Sequence, residues 1–243
     1  MKIQLDRQYK NILVIDIETA SAQKNYTDLN ERLQALWDKK ASFIHNEGEV
    51  SSDELYFNRA AIYAEFGRVI CISVGIFTYD KDAFGLRIKS FASDDEAEIL
   101  EAFKNLIESK FHQKDLQLVA HNGKEFDFPY LCRRMLVNNI IVPEALDIRD
   151  KKPWEVQHID TMELWKFGDR KNFTSLEMLA TLFGIESSKD DIDGSKVNHV
   201  YYNENDLDRI SVYCQRDVMV TAQVFLKLIS LPKIKEENIE YLQ

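Results

Sequence analysis

The stretch Asn11-Ile12-Leu13-Val14-Ile15-Asp16-Ile17-Glu18-Thr19 lies near the start of this 243-residue chain. Its apolar run, Ile12 to Ile15, predicts a central β-strand that is covered on both faces. Side chains alternate along a strand, so Asp16 and Glu18 point to the same face. Two neighbouring carboxylates at the end of a buried strand repel each other and lose hydration, and a bound divalent cation relieves both costs. A strand end with two solvated acids gives the same short pattern, so the metal-site interpretation needs partners elsewhere in the chain.

The composition predicts one large α/β domain, because 45% hydrophobic and 11% aromatic residues can fill a sizeable core. Glycine and proline are sparse, which argues against long linkers. The formal net charge of −10 disfavours a protein that holds duplex DNA through a broad basic face. This net charge is compatible with an enzyme that binds only a few nucleotides and supplies positive charge through bound metal ions.

Cysteine usage and the N-terminal sequence predict a cytoplasmic protein. The three cysteines, Cys71, Cys132 and Cys214, form no C-x-x-C pair and are interpreted as reduced thiols. Residues 1–10 carry charges throughout, so we expect no signal peptide. No apolar run reaches membrane-spanning length, so no membrane partner is expected.

The order of predicted elements indicates a mixed sheet that is flanked by helices. After the first strand comes a helix-favouring stretch, about residues 27–65, which is interpreted as an insertion. The later elements are antiparallel strands at Arg68–Tyr79 and Leu86–Phe91, a helix opened by a Ser93–Glu96 capping box, short strands at Leu116–Ala120 and near Ile159, and helices over about Asp127–Asn138, from a Thr174–Glu177 capping box to Gly184, and over about Asp206–Ile229. The tail after Pro232 is charged and is expected to be peripheral.

A further acid lies on the inward face of the last helix. Apolar residues recur there at steps of three and four, and Asp217 falls in the middle of that stripe. Tyr213 precedes it by four residues, so the two side chains share one face. An Asp that is satisfied by an arginine or a main-chain cap, and a Tyr that belongs to the core, are the alternatives.

The segment from His121 to Leu131 contributes a fourth acid. A strand ends at His121, a glycine-containing loop follows, and a helix begins near Asp127. Asp127 suits a helix N-cap, and that role is compatible with an outer metal ligand. His121 is expected to form a hydrogen bond at the strand end rather than bind metal, and Arg133 and Arg134 are expected to be exposed helix residues.

Together these segments resemble the DEDDy class of 3′–5′ exonucleases, in particular the proofreading domain of family B DNA polymerases. The three motifs of that class match Asp16-Ile17-Glu18-Thr19, Asn122-Gly123-Lys124-Glu125-Phe126-Asp127 and Tyr213-Cys214-Gln215-Arg216-Asp217, in the expected order. The related DEDDh class has a histidine at the position of Val212, so the tyrosine class fits better. The resemblance spans about residues 10–230. No polymerase domain follows in this sequence, so the resemblance implies a separate nuclease.

The resemblance implies a ribonuclease H-like α/β fold with a mixed five-stranded sheet, in which residues 1–243 form a single exonuclease domain. It implies that Asp16, Glu18 and Asp217 bind an inner metal ion, and that Asp16 also binds a second ion, which Asp127 holds directly or through water. The cofactors would be two Mg²⁺ or Mn²⁺ ions, which carboxylates and water suit. Tyr213 would orient the attacking water; with an ordinary pKa of about 10 it is a poor general base.

The resemblance also implies that Thr19, Asn122 and Phe126 contact the terminal nucleotide. The implied partner is the 3′ end of a single-stranded nucleic acid, with DNA preferred. Further contacts with the nucleic-acid strand are a hypothesis for a group of basic and aromatic residues later in the chain. The group consists of Trp165, Lys166, Phe167, Arg170 and Lys171. A solvated loop with core aromatic residues is the alternative for that group.

Two other functions stay open on the sequence. The same chemistry could act on RNA, because no residue in the sequence can be identified as one that would contact or exclude a 2′-hydroxyl. A non-catalytic module that binds nucleic-acid ends or another protein could use the same fold. The presence of all four acids argues against that second alternative. The pathway, the oligomeric state and any polymerase or repair partner are left open.

Overall fold

The computed structural model describes residues 9–44, 50–80, 83–169, 173–186 and 192–242. Within these ranges six strands form one sheet, in the order β5-β4-β1-β2-β3-β6. The β1–β2 and β2–β3 pairs are antiparallel, and the β1–β4, β4–β5 and β3–β6 pairs are parallel. The strands are β1 (Ile12–Ser21), β2 (Gly67–Asp80), β3 (Ala83–Ala92), β4 (Gln117–Ala120), β5 (Ile159–Asp160) and β6 (Ile239–Leu242). The predicted mixed sheet is therefore confirmed.

Helices flank the sheet on both faces. They are α1 (Glu31–Ala41), α2 (Ser52–Arg59), α3 (Glu96–Lys110), α4 (Asp127–Val137), α5 (Thr161–Lys166), α6 (Leu176–Phe183), α7 (Val197–His199) and α8 (Leu207–Leu228). A π-helical turn, Val200–Glu204, continues α7, and short 3₁₀ turns lie at Tyr9–Asn11, Tyr26–Asp28, Ala60–Ile62, Pro153–Glu155 and Glu236–Asn238. None of the helices in the described ranges combines the length and the apolar character that a bilayer crossing requires.

The central position of β1 explains its apolar sequence. Leu13 and Ile15 belong to a core cluster that includes α3 and α4, whereas Ile12 and Val14 pack in a second cluster with α8 on the opposite face. All four side chains are buried, as the uninterrupted apolar run predicts for a central strand. The same alternation places Asp16 and Glu18 on the face that α8 covers.

The sheet has one strand more than the resemblance implies. The first five strands lie close to the predicted positions, and the sixth comes from the tail that was expected to be peripheral. Residues of β6 pair with β3 from Leu86↔Ile239 to Lys89↔Leu242. Arg87 Nε donates to Glu240 Oε2 at 2.7 Å on the exposed side of this pair. The main-chain N–H and C=O groups along the outer edge of β3 gain partners in this way.

Two helix starts differ from the predicted capping boxes. The N-cap of α3 is Asp95 rather than Ser93, because the Asp95 carboxylate accepts the N–H groups of Ala97 and Glu98. The N-cap of α6 is Ser175, one residue after Thr174, and this helix ends at Gly184 in a left-handed conformation as predicted. Helix α8 agrees with its predicted boundaries.

The expectation that Arg134 is exposed is wrong. Its guanidinium is buried and forms a bidentate ion pair with Glu96, with Nε–Oε1 and Nη2–Oε2 distances of 2.8 and 2.6 Å. Arg134 Nη1 also donates to the main-chain oxygen of Ala64, and Glu96 Oε1 accepts the N–H of Val69. The pair therefore joins α3, α4 and β2, which explains why Glu96 does not complete a capping box. Arg133 is exposed as expected.

The predicted helical stretch of residues 27–65 contains α1 and α2, which enclose a small aromatic core of their own. Trp37 and Tyr56 are buried there in an edge-to-face contact with ring centroids 5.3 Å apart. The Tyr56 hydroxyl accepts the N–H of Gln23 just beyond β1, and the Tyr130 hydroxyl of α4 donates to Ala61. These contacts hold the stretch beside the end of β1.

Candidate active site

The carboxyl-terminal half of β1 carries Asp16 and Glu18 beyond the end of its neighbour β4. Strand β4 pairs with β1 up to Val14↔Val119, and β1 then continues to Ser21. On its other side, the register with β2 shifts after Glu18, where Ile70 is an extra residue in β2. Such bulges bend a strand and re-aim side chains, and they are common next to active sites. Glu18 is 7% exposed and Asp16 is half-buried.

Helix α8 lies directly across this end of the strand. A side chain at Gly75 of β2 would place its Cβ 2.7 Å from Val218 Cγ1, so glycine allows α8 to approach the sheet closely. Asp217, the residue before Val218, and Tyr213 and Cys214, one turn earlier, face β1 and are buried, as the periodicity predicts. The structure therefore brings the acids of the first and third motifs to one place.

The loop between β4 and α4 supplies Asp127. Asn122 adopts a left-handed conformation with φ of 62°, which asparagine tolerates better than most residues. A Cβ at Gly123 would lie 2.4 Å from the Ala120 Cβ, so this tight turn requires glycine. Asp127 is 4% exposed and is the first residue of α4, one position after the Phe126 N-cap. Its carboxylate accepts hydrogen bonds from its own N–H and from the N–H of Ile17 in β1.

The electrostatic state of the acids reflects their burial and mutual repulsion. Burial, followed by the charges of Asp217 and Asp127, raises the pKa of Asp16 well above its usual range. Burial and the charge of Asp16 do the same to the pKa of Glu18. Burial raises the pKa of Asp127 to about 7, although its main-chain hydrogen bonds oppose the change. A divalent cation at this position would reverse these shifts, because it favours the ionised carboxylates.

The hydroxyl of Tyr213 forms a hydrogen bond with Asp217 beside the acidic cluster. Burial, followed by the charges of Glu18, Asp217 and Asp16, raises the pKa of Tyr213 above its ordinary value. The phenol is therefore neutral near neutral pH. It donates its proton to the Asp217 carboxylate and keeps its oxygen lone pairs available as acceptors.

Cys214 is a site residue that the sequence reasoning missed. Its Sγ donates to the main-chain oxygen and to Oδ2 of Asp16, at 3.4 and 3.3 Å. Ligand atoms of Asp16, Glu18 and Cys214 all lie within 4.8 Å of one another. The position of Cys214 on the inward stripe of α8, one turn before Asp217, was the available signal. Burial raises the pKa of the Cys214 thiol, so the hard oxygen atoms are the fitting ligands for Mg²⁺ or Mn²⁺.

The predicted substrate-binding residues border the acidic cluster. Asn122 Oδ1 is buried, and it is among the polar atoms of the described residues for which no hydrogen-bond partner is found. Phe126 is half-buried, with its ring centroid 5.2 Å from that of Tyr130. Thr19 is almost fully buried and forms a hydrogen bond with the Tyr130 hydroxyl.

The basic and aromatic group after β5 is less well defined. Trp165 packs against Phe183, with ring centroids 5.7 Å apart, and therefore has a core role. Lys166 is half-buried, and Phe167 is 86% exposed with a left-handed φ of 44°. Arg170 and Lys171 lie outside the described residues.

His121 forms hydrogen bonds at the end of β4, which confirms the prediction. Its Nε2 lies 2.9 Å from the Thr174 carbonyl oxygen, and its Nδ1 lies 2.9 Å from Thr161 Oγ1. A carbonyl oxygen only accepts, so Nε2 carries the proton. Burial lowers the pKa of His121, and in the neutral ring Nδ1 then accepts the Thr161 hydroxyl.

A mixed sheet with four acids near the end of its central strand is typical of a ribonuclease H-like fold. Residues 61–240 match the family described as "Predicted 3'-5' exonuclease related to the exonuclease domain of PolB", and the chain belongs to that family. The matched range contains Asn122, Asp127, Tyr213 and Asp217 and begins after Asp16 and Glu18.

Solved structures give an independent comparison of the fold. The family B DNA polymerase from the hyperthermophilic archaeon Pyrobaculum calidifontis superposes with a TM-score of 0.58 at 16% sequence identity. The match covers 90% of this chain and 24% of that polymerase chain. No curated protein matches the sequence. The structural match confirms the expected ribonuclease H-like fold.

Proposed function

We propose that this protein is a two-metal-dependent 3′–5′ exonuclease that hydrolyses single-stranded DNA from its 3′ end and releases 5′-mononucleotides. The observation that carries the proposal is the convergence of acids from three separate segments. Asp16 and Glu18 come from β1, Asp127 from the start of α4, and Asp217 from α8. Burial and repulsion make this arrangement costly for a protein that holds no cation there.

The carboxylates divide into two candidate metal sites. Asp16, Glu18 and Asp217 would hold one cation, and Asp16 together with Asp127 would hold the other. When bound, two divalent cations lower the pKa of the attacking water and stabilise the leaving 3′ oxygen. The thiol of Cys214, which donates to Asp16 Oδ2, keeps that carboxylate oriented.

Tyr213 orients the attacking water through its oxygen. Its hydroxyl proton is directed to Asp217, so its lone pairs accept a hydrogen from the water. The raised pKa keeps the phenol protonated, which excludes a general-base role near neutral pH. Tyr213 therefore contributes position and a hydrogen bond to the reaction.

The substrate would enter along Phe126 and Asn122. The ring of Phe126 offers a stacking face for the terminal base, and Asn122 Oδ1 offers an acceptor for an N–H or O–H group of the nucleotide. Thr19 lies near Phe126, because it forms a hydrogen bond with Tyr130, whose ring packs against that of Phe126. The relation of this family to the PolB exonuclease domain favours DNA over RNA as the substrate.

We expect the purified protein to shorten a 5′-labelled single-stranded DNA oligonucleotide one nucleotide at a time in the presence of Mg²⁺ or Mn²⁺. A ladder that shortens with time on a denaturing gel, together with 5′-mononucleotides as products, supports the proposal. EDTA should abolish the reaction, because the carboxylates need a cation to act. Immediate release of the 5′ label, or activity that survives EDTA, contradicts it.

An RNA oligonucleotide of the same sequence separates the two substrate classes. Faster digestion of RNA than of DNA would replace the proposed substrate with RNA and keep the chemistry. A protein that binds the labelled 3′ end in EDTA and never cleaves it in Mn²⁺ would be a non-catalytic end-binding module.

A further inference from the structure

Asp160, the last residue of β5, holds the loop that carries the second acidic motif. Its side chain is 2% exposed. Oδ1 accepts the N–H of Asn122 at 3.0 Å, and Oδ2 accepts the N–H of Lys124 at 3.1 Å. The same Oδ1 caps α5 through the N–H groups of Met162, at 2.9 Å, and Glu163, at 3.4 Å. One buried carboxylate therefore joins two segments that lie about forty residues apart in the chain.

Neighbouring contacts attach the same loop to the same short segment. His121 Nδ1 lies 2.9 Å from Thr161 Oγ1, and Lys124 Nζ donates to Glu163 Oε2 at 2.7 Å. The loop then closes on itself, since the N–H of Phe126 donates to the Asn122 carbonyl at 3.0 Å. The conformation of the loop therefore depends on the Asp160 segment.

The hydrogen bonds of Asp160 also offset a local conformational cost. Asn122 has a left-handed φ, a conformation that is less favourable than ordinary backbone geometry for residues other than glycine. The N–H of this same residue is bound to the Asp160 carboxylate. This hydrogen bond stabilises the left-handed conformation of Asn122.

We infer that Asp160 is a positioning residue for the nuclease reaction, and that it acts through the loop of residues 121–126 to place Asn122 and Phe126. This inference rests on the proposed function. A helix cap alone would accept only the two N–H groups of α5. The Oδ1 atom of Asp160 also accepts the N–H of Asn122, and its Oδ2 atom accepts the N–H of Lys124. An acceptor-only carboxylate suits four surrounding N–H donors.

Two variants separate the loop contacts from the cap. Asp160→Ser keeps a favoured N-cap side chain and loses the oxygen that reaches Lys124. Asp95→Ala removes a cap that accepts N–H groups at the same two positions of α3, far from the loop in sequence. If Asp160 were only a cap, the serine variant would behave like the wild type.

Steady-state kinetics on a single-stranded DNA oligonucleotide provides the first test. We expect Asp160→Ser to raise KM about 10-fold or more and to change kcat by less than about 3-fold, because substrate contacts are misplaced while the metal ligands of β1 and α8 remain. Asp95→Ala should leave both constants unchanged. Equal constants for Asp160→Ser and wild type would overturn the inference, as would a loss confined to kcat.

Hydrogen–deuterium exchange tests the same inference without any turnover. The amides of Asn122 and Lys124 should exchange about 10-fold faster in Asp160→Ser, while those of Met162 and Glu163 remain protected by the serine cap. Asp95→Ala should leave this loop at the wild-type rate. Unchanged exchange at Asn122 and Lys124 would overturn the positioning role. If exchange at Asn122 and Lys124 is faster in Asp160→Ser but the wild-type protein never degrades a nucleic acid, the proposed function is rejected and the positioning of the loop by Asp160 stands.

Discussion

Asp16→Ala should lower kcat on a single-stranded DNA oligonucleotide by at least about four orders of magnitude, the scale expected when a core group of a catalytic unit is removed. Asp16 is the acid shared between the two proposed cation sites, and its Oδ2 is oriented by the Cys214 thiol. Its loss would remove a ligand from both sites at once. Asp217→Ala, which removes a ligand of one site and the partner of Tyr213, should have a similar effect.

Tyr213→Phe should cost much less, about 10–1000-fold in kcat, because it removes one positioning hydrogen bond. The substitution leaves every carboxylate in place, and the buried ring can stay where it is. KM for the oligonucleotide should change little, since the hydroxyl forms a hydrogen bond with Asp217 and the proposed mechanism gives it no contact with the base.

Single-turnover and steady-state rates in saturating Mn²⁺ would compare these variants with Tyr241→Phe as the matched control. Tyr241 is half exposed on β6, the edge strand that β2 and β3 separate from β1, so removing its hydroxyl should leave the rate unchanged. A Tyr213→Phe protein as inactive as Asp16→Ala would give Tyr213 a greater role than positioning. A protein with wild-type kcat would remove Tyr213 from the mechanism.

Short-range periodicity was sufficient to predict much of this site. The apolar run of β1 followed by alternating acids placed Asp16 and Glu18 on one face, and the 3.6-residue repeat of α8 placed Asp217 and Tyr213 on its inward side. These patterns are properties of a single strand or helix, so they can be read without knowing what packs against them.

Partners distant in sequence were harder to predict. Arg134 looks like an ordinary surface residue of α4 until Glu96, 38 residues earlier, is seen against it. Asp160 belongs to a strand of two residues, which is too short to show a period, and its four donors come from two segments. The pairing of β6 with β3 also depends on an open sheet edge that no local pattern reveals.

The repulsion among the acids gives the second large effect, which is on stability. In EDTA at pH 8, Asp127→Asn should melt at a higher temperature than the wild type. Its free energy of unfolding should be greater by an amount on the order of a few kcal/mol. Burial raises the pKa of Asp127 to about 7 in the folded protein, whereas an unfolded aspartate titrates near 3.8. The asparagine amide keeps an oxygen that can accept the N–H of Ile17 and carries no charge to desolvate.

The pH dependence follows from the sign of this shift. Between about pH 4 and 7 the folded wild type binds a proton at Asp127 that the unfolded chain has released, so its stability falls as the pH rises through that window. The advantage of Asp127→Asn should therefore grow from pH 4 to 7 and level off above. His158, whose pKa burial lowers to about 4, titrates in both proteins and cancels in the difference between their melting curves.

Divalent metal should narrow the difference in stability between the two proteins. At ten times its Kd, Mn²⁺ would stabilise the wild type by RT ln 11, about 1.4 kcal/mol. In a chain of this length that raises Tm by roughly 3–6 °C. Asp127→Asn lacks a ligand and should show a smaller shift. Thermal melts of both proteins between pH 5 and 8 measure the effect of the Asp127 charge in EDTA and the effect of metal binding in Mn²⁺. A variant that is strongly destabilised in EDTA at pH 8 would mean that Asp127 serves the fold through its contact with Ile17, and the second cation site would lose its own acid.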